Sequence, residues 1–383
     1  MSQRRLGYID QFRGLATVFM IETHVLNALL LTSLRGDFTF KAVDFLNGLV
    51  APSFLFVAGF SFTLALSRKG DAYRKFSPEL FRHLRRLLFI WAVGYILHIP
   101  FFSLRKSLYQ TSSAGVLAFT AVDILQCIAA TLFLLHILRV VIKDDRKFNI
   151  VLYSLFILFI LAAPLAGSAD FTNSLPLWAA QYFNRMHGSL FPLFPWSSFL
   201  IGGTIASQFI MNHSDTAVTG RMKNDALKRL LWTAVGAVAL GALFTAFEKH
   251  FDVEPHFADY SPSWFVLRFG MLLLILYAVS KYEERRRSEF SAVKLFGRES
   301  FFIYALHLVI VYGSFARLPS LAGMVGPRLG YAGCLGIFVL LTMVMYFVAR
   351  GWSDLKRNNY DISRQVQSGI IAVVLYLFIS RPY

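Results

Sequence analysis

The sequence predicts an all-α fold, a polytopic transmembrane helical bundle of about 10–11 spans. Three observations lead there. Of 383 residues, 56% are hydrophobic and only 16% charged, with a mean hydropathy of +0.55; a soluble fold cannot hide that much apolar surface. The apolar residues are gathered into runs that approach the ~20 residues needed to cross a hydrocarbon core of ~30 Å. The basic residues stand in short connectors between those runs. With the amino terminus on the cytoplasmic side, most of the 38 lysines and arginines fall on inner segments, as membrane topology requires.

Taken in order, the expected spans run from Arg13 to Leu31, Phe45 to Leu66, Leu87 to Leu104, Ala121 to Val141, Ile150 to Ala166 and Leu190 to Ile210. They continue with Leu231 to Phe247, Trp264 to Ser280, Ala292 to Tyr312, Gly330 to Ala349 and a shorter last run, Gly369 to Ser380. The first follows MSQRRLGYIDQFRG without a small-residue cleavage pattern and reads as a retained signal anchor. The basic runs SRKGDAYRKFSPELFRHLRR and KYEERRRSEFSAVK are inner connectors. The outer segment GSADFTNSLPLWAAQYFNRMHGSLFPLFPW mixes polar and aromatic residues and reads as an interfacial loop or a cap over a cavity. Connectors are short and no repeat stands out, so residues 1–383 read as a single domain.

The net charge of +16 does not point to nucleic acid, because its placement follows topology. Cys127 and Cys334 sit inside apolar spans with no metal-ligand spacing around them, so neither a disulfide framework nor a metal site is expected. The 39 phenylalanines suit lipid-facing helices and membrane interfaces.

Ionisable groups inside a span are costly and usually face a bundle interior or a wet cavity. His24 is the foremost. It lies ~16 Å along the first helix from Arg13, near mid-membrane, and eleven residues at about 100° each bring the two onto one helical face. Asn27, one turn on, can hold a ring nitrogen and fix the tautomer. Glu22 stands on another face and is free to serve another helix. The competing reading of His24 is interhelical glue. In AVDILQCIAATLFLLH, Asp123, Gln126 and Cys127 share a groove; Asp123 either places an acceptor from the outer side or serves as a structural Asp at a helix end. His307 reads as packing, and His98 and His136 as interfacial. Arg82, Arg85 and Arg86, beside His83, suit anionic headgroups or the phosphates of a nucleotide-like cofactor.

The opening segment RLGYIDQFRGLATVFMIETH resembles the first helix of the acyltransferase-3 superfamily, in which an Arg-Gly pair is followed by an apolar run and a histidine. Within it, IDQFRGLATVFM, FLNGLVAPSFLFVAGFSF, DILQCIAATLF and FGRESFFIYALHL, in that order, are most similar to the branch containing heparan-α-glucosaminide N-acetyltransferase and its bacterial relatives. The resemblance implies acyl transfer from acetyl-coenzyme A, or another acyl-coenzyme A, on the cytoplasmic side to a sugar amine or hydroxyl on the far side, in a bacterial-type inner membrane. It implies a glycan acceptor as partner, no metal and no nucleic acid, and leaves homo-oligomerisation open. Two departures matter. The eukaryotic heparan enzyme carries its catalytic histidine in the first outer segment, whereas LRGDFTFKAVDFLNGL has none, so His24 is the natural substitute; and the arginine that follows the family's Leu-Gln pair is here Cys127.

The expected mechanism makes His24 the general base and Asn27 its orienting partner. Arg13, Arg82, Arg85, Arg86 and Gln126 hold the donor, while Asp123 and Glu22 serve the substrate. The alternatives are a proton-coupled transporter relaying protons through His24, Glu22 and Asp123, disfavoured by the absence of matching half-repeats, and a noncatalytic membrane scaffold. Whether acyl transfer is direct or passes through an acyl-histidine stays open.

Overall fold

The computed structural model describes residues 6–212, 222, 224–251, 260–285, 291–313 and 320–381. Its order is helical, and among the described residues the nearest approach to a strand is one parallel bridge between Leu30 and Leu329. The main helices are α1 (Gly7–Leu29), α2 (Phe38–Asn47), α3 (Val50–Lys69), α4 (Pro78–Ile96), α5 (Ile124–Val141), α6 (Asp145–Leu161) and α7 (Leu193–Asn212). They are followed by α8 (Asn224–His250), α9 (Pro262–Arg285), α10 (Ala292–Arg298), α11 (Ser300–Tyr312), α12 (Tyr331–Asn358) and α13 (Tyr360–Ser380).

Every expected span is occupied by helix, so the all-α polytopic bundle stands. The span boundaries shift where polar residues change the local balance. Six helical stretches are long and apolar enough to cross a membrane: Phe38–Arg74, α5, α8, α9, α12 and α13; α10 and α11 together make a seventh, bent by 87° at their junction. The helices at the other four expected positions run 23, 19, 17 and 20 residues in α1, α4, α6 and α7. In α1 the apolar character is diluted by Arg13, Glu22, His24 and Asn27, the residues that make it interesting. The last run, expected to be short, is a full helix of 21 residues.

Local chemistry sets the helix ends. Asp37, Asp123 and Asp144 cap α2, α5 and α6, each accepting a backbone N–H of the first turn. Pro78 opens α4, where its missing N–H costs nothing. Gly313, at φ 78°, ends α11 in the left-handed conformation that glycine adopts without penalty.

The helices group into two compact units. The first comprises the described parts of Met1–Tyr8, Ala51–Ile96 and Thr120–Arg287. In it α3 and α7 meet backbone to backbone: a Cβ on Gly59 would overlap the Leu200 carbonyl oxygen, and Thr204 Oγ1 donates to Gly59 O at 3.2 Å. Small residues that let helices approach this closely are the usual solution where lipid removes the hydrophobic drive for association. Phe199 and Phe265 pack beside them, ring centroids 4.5 Å apart and planes tilted by 40°. The polar segment expected on the outer side is folded in, with Asn184 Nδ2 donating to Ala166 O at 2.8 Å and Trp91 Nε1 to the Tyr182 hydroxyl at 2.8 Å.

The second unit comprises Ile9–Val50, Leu97–Phe119 and the described parts of Ser288–Tyr383. Its core is apolar and built from α1, α10, α11 and α12: Ile21, Val25, Leu29, Phe296, Ile303, Val311, Leu341 and Met345 are all buried. Only 6% of the apolar window of α13 is buried by the rest of the chain, which leaves that helix to be covered by lipid.

Candidate functional site

Two of the four sequence segments that carried the resemblance come together in the second unit. IDQFRG opens α1 and FGRES forms α10 and the bend into α11. They meet through glycines. A Cβ on Gly14 would overlap the Val293 carbonyl oxygen, and one on Gly297 would overlap the Asp10 carbonyl oxygen. Charged groups brace the same junction: Arg298 Nε donates to Asp10 Oδ2 at 3.2 Å, and Lys356 Nζ reaches both oxygens of the buried Glu299 at 2.6 and 2.7 Å. Arg13, expected to hold donor phosphates, points its Nη1 at Gly297 O at 3.5 Å, so it also belongs to this junction.

The bend sends α11 back along α1, and the consequence appears at His24. Its Nδ1 lies 2.7 Å from Nε2 of His307. The two rings are nearly coplanar, 19° apart with centroids at 4.9 Å, as an in-plane N–H···N bond gives. The proton positions follow from the partners. His307 Nδ1 is 2.7 Å from the Ile303 carbonyl oxygen, which can only accept, so that nitrogen carries the hydrogen. In the neutral pair His307 Nε2 is then the acceptor and His24 Nδ1 the donor. Nε2 of His24 is left with an open lone pair.

Tyr312 completes the surroundings, its ring edge-on to His24 at 5.8 Å and its hydroxyl donating to the His24 carbonyl oxygen at 3.4 Å. Above it, Arg35 Nη2 donates to the Asn27 carbonyl oxygen at 2.8 Å, placing a cation at the carboxyl end of α1 where the helix dipole favours one. Nε of Arg35 is buried without a hydrogen bond. Asn27, expected to orient the imidazole, has an exposed side chain, and the Nδ1 it would have held is taken by His307.

Glu22 serves another helix, as its angle on α1 implied. It hydrogen-bonds Asn47 at the end of α2, keeps Oε2 buried without a partner, and lines a mostly apolar cavity of about 260 Å³ with Val43, Tyr331, Cys334 and Phe338. Nearby, outside the spans, Asp37 accepts from Phe40 N and from the Tyr331 hydroxyl, both at 2.7 Å. Those bonds, the backbone one foremost, hold its carboxyl below the usual carboxylate range.

The remaining expected residues lie in the first unit. Asp123 caps α5, accepting from Ile124 N at 2.7 Å, while Gln126 Oε1 accepts from Asp123 N at 3.3 Å; the pair forms a capping box, the structural role foreseen as the alternative for Asp123. The Gln126 side chain is fully buried against Gly94, where a Cβ would come within 2.6 Å, and its Nε2 has no hydrogen-bond partner. Arg82 pairs with Glu79 at 2.6 Å on the exposed face of α4, with Arg85 and Arg86 also exposed. His83 packs against Tyr73 and His136, and burial, with Arg86 and Lys69 adding, pushes it down to about 4. No group of three or more metal-binding side chains occurs among the described residues.

His307, Tyr312 and Arg35 are the residues that sequence reasoning left out of the site. His307 was noticed and read as packing; the signal that would have promoted it is its place in FGRESFFIYALHL, one of the segments carrying the resemblance. No curated protein matches the chain. The family model described as "Heparan-alpha-glucosaminide N-acetyltransferase, catalytic" matches residues 5–244, well over half of the length and including α1 and His24. The chain therefore belongs to the heparan-alpha-glucosaminide N-acetyltransferase catalytic family, and the activity class that goes with it is acetyl transfer in a membrane.

Proposed function

We propose that the protein moves an acetyl group from cytoplasmic acetyl-coenzyme A to an amine or hydroxyl of a sugar on the other side of the membrane, with His24 as general base. The observation that carries this reading is the hydrogen-bonded pair of His24 and His307, because it leaves Nε2 of His24 unprotonated on α1. A base needs that lone pair and a fixed ring. His307 is the positioning residue.

In this scheme His24 Nε2 takes the proton of the acceptor N–H or O–H as that atom attacks the thioester carbonyl carbon. The tetrahedral adduct collapses with loss of the C–S bond, and the imidazolium returns its proton to the leaving thiolate. The products are the acetylated sugar and free coenzyme A. A general base typically contributes ~10²- to 10⁴-fold in rate, which offsets the desolvation of a mid-span imidazole. Kinship with the wider acyltransferase-3 superfamily favours the same assignment, since His24 occupies the histidine position of that first-helix pattern. The orientation that fits is the amino terminus in the cytoplasm of a bacterial-type inner membrane, for which the inner-side excess of lysine and arginine is the support.

The test is transfer of label from radiolabelled acetyl-coenzyme A to a panel of amino sugars and polysaccharide fragments by the purified protein, beside His24→Ala. Label transfer that falls by about 10²-fold or more in the variant is expected. Undiminished transfer by folded His24→Ala would remove His24 from catalysis.

A further inference from the structure

The first unit holds a second polar cavity that the proposed chemistry at His24 does not use. It has a volume of about 420 Å³ and lies among the end of α3, the turn after it, the end of α5, the first turns of α6 and the end of α7. Its polar lining includes Ser67, Arg74, Arg139, Asp145, Asn149 and Asn212. In the proposed orientation these helix ends face the cytoplasm.

Two guanidinium groups meet there on one carboxylate. Arg74 Nη2 donates to both oxygens of Asp145 at 2.9 Å, and Arg139 Nη2 donates to Asp145 Oδ1. Arg139 is almost wholly buried, its guanidinium lying over the Phe148 ring at 4.9 Å, and its Nη1 donates to Ile142 O at 3.3 Å at the end of α5. Each guanidinium has five N–H donors in a fixed fork. Asp145 and Ile142 engage one or two nitrogens of each, and Arg74 Nε stands 4.0 Å from the exposed Asp71 carboxylate, which leaves Nη1 of Arg74 and Nε of Arg139 without a hydrogen bond among the described residues. Asp145 thus aims both guanidinium groups while leaving N–H donors of each unengaged. The stretches at the mouth carry Lys69, Arg74, Lys75, Arg139, Lys143, Arg146 and Lys147 against Asp71, Asp144 and Asp145, so an anion meets a net positive field on approach. A buried arginine kept in place by a carboxylate and an aromatic ring is a rigid donor, the kind that binds a phosphate through two parallel bonds.

We propose that this cavity binds the phosphates of an organic phosphate, with Arg74 and Arg139 as the anchoring pair and Ser67, Asn149 and Asn212 as uncharged hydrogen-bonding partners. Its occupant is the nucleotide end of the acyl-coenzyme A donor, an assignment that rests on the acetyl-transfer reading. The site replaces the exposed arginines of α4, Arg82, Arg85 and Arg86, as the place where donor phosphate is held. An anionic lipid headgroup offers the same phosphate chemistry from the bilayer.

The experiment uses the full chain in neutral detergent, with adenosine 3′,5′-bisphosphate as probe and binding read by calorimetry and by the shift in Tm. Arg74→Gln, at a half-buried position, keeps the fold and removes one anchor; Arg139→Lys keeps the charge and loses the fork. In either, Kd is expected to rise about tenfold or more, the loss of charge-assisted bonds, while a triple Arg82→Gln, Arg85→Gln, Arg86→Gln variant binds as the parent does. In a parallel arm, Tm is compared in nanodiscs of phosphatidylglycerol and of phosphatidylcholine. Stabilisation by phosphatidylglycerol that Arg74→Gln removes, without binding of the bisphosphate, would keep the phosphate site and assign it to lipid. Unchanged Kd in both Arg74→Gln and Arg139→Lys, with no lipid effect, would overturn the proposal. Arginine-dependent binding by a protein that transfers no acetyl group would sink the transfer reading and leave the phosphate site standing. Normal transfer with an unaltered KM for acetyl-coenzyme A and unaltered bisphosphate binding in Arg74→Gln would do the reverse.

Discussion

Replacing His307 by alanine tests the pair at the heart of the site without touching the base. The 2.7 Å bond from His24 Nδ1 to His307 Nε2 is the one that keeps the lone pair on Nε2 of His24. A neutral hydrogen bond of this kind contributes about 0.5–1.5 kcal/mol, and leaving its buried donor unpaired costs about 1–3 kcal/mol more. The imidazole relieves that cost by turning over or by shifting its hydrogen to Nε2, and both remove the base. A sum of about 1.5–4.5 kcal/mol corresponds to a loss of roughly 10- to 2,000-fold in kcat. His307→Gln retains an acceptor for His24 Nδ1 and should keep most of the activity. The assay is single-turnover transfer of labelled acetyl, with kcat/KM followed against pH. A positioning role moves the acidic limb of that profile, where the base becomes protonated, whereas a purely structural role lowers the fraction of active enzyme at every pH. Residues that act as a unit are not additive, so His24→Ala with His307→Ala should be no slower than His24→Ala alone. A double variant slower by the product of the two single losses would refute the argument that His307 works through His24.

Other outcomes follow from the same geometry. Gly14→Val places side-chain atoms against the Val293 carbonyl at the junction of α1 and α10; overpacking of this kind costs about 1–3 kcal/mol, read as a lower Tm in detergent and as weakened activity through displacement of His24. Asp123→Ala should lose about 0.5–2 kcal/mol of cap energy, whereas Asp123→Asn retains the cap and the parent Tm; a KM for the acceptor that rises in Asp123→Asn would instead make the carboxylate a substrate contact. Asp170, in the segment between α6 and α7, is held down to about 2 by the Thr172 hydroxyl first and then by His187 and the Thr172 backbone. A carboxyl depressed in the folded state stabilises fully above its unfolded value and loses that contribution as pH falls through about 2. The Tm gap between the parent and Asp170→Asn should therefore be present at pH 6 and shrink as the pH falls towards 2.

The sequence by itself determined the class, the helical content and most of the helix positions, because lipid allows a spanning backbone few other solutions and apolar run length is a local property. It also determined the angular relations on single helices: Glu22 faces away from His24 and is free to serve another helix, and Asp123 stands three residues before Gln126, the spacing that the structure closes into a capping box. These are fixed by 100° per residue and by hydrogen bonds within one turn. What only the tertiary structure decided is which distant groups meet. His24 and His307 are 283 residues apart, and their bond depends on glycine contacts between α1 and α10 and on an 87° bend between α10 and α11. Arg74 and Arg139 converge on Asp145 through three separate segments, and a count of basic residues cannot tell them from the exposed arginines of α4. Local pattern fixes a helix and its faces because its hydrogen bonds are local; a site is assembled from faces of several helices, and only packing chooses which faces share it.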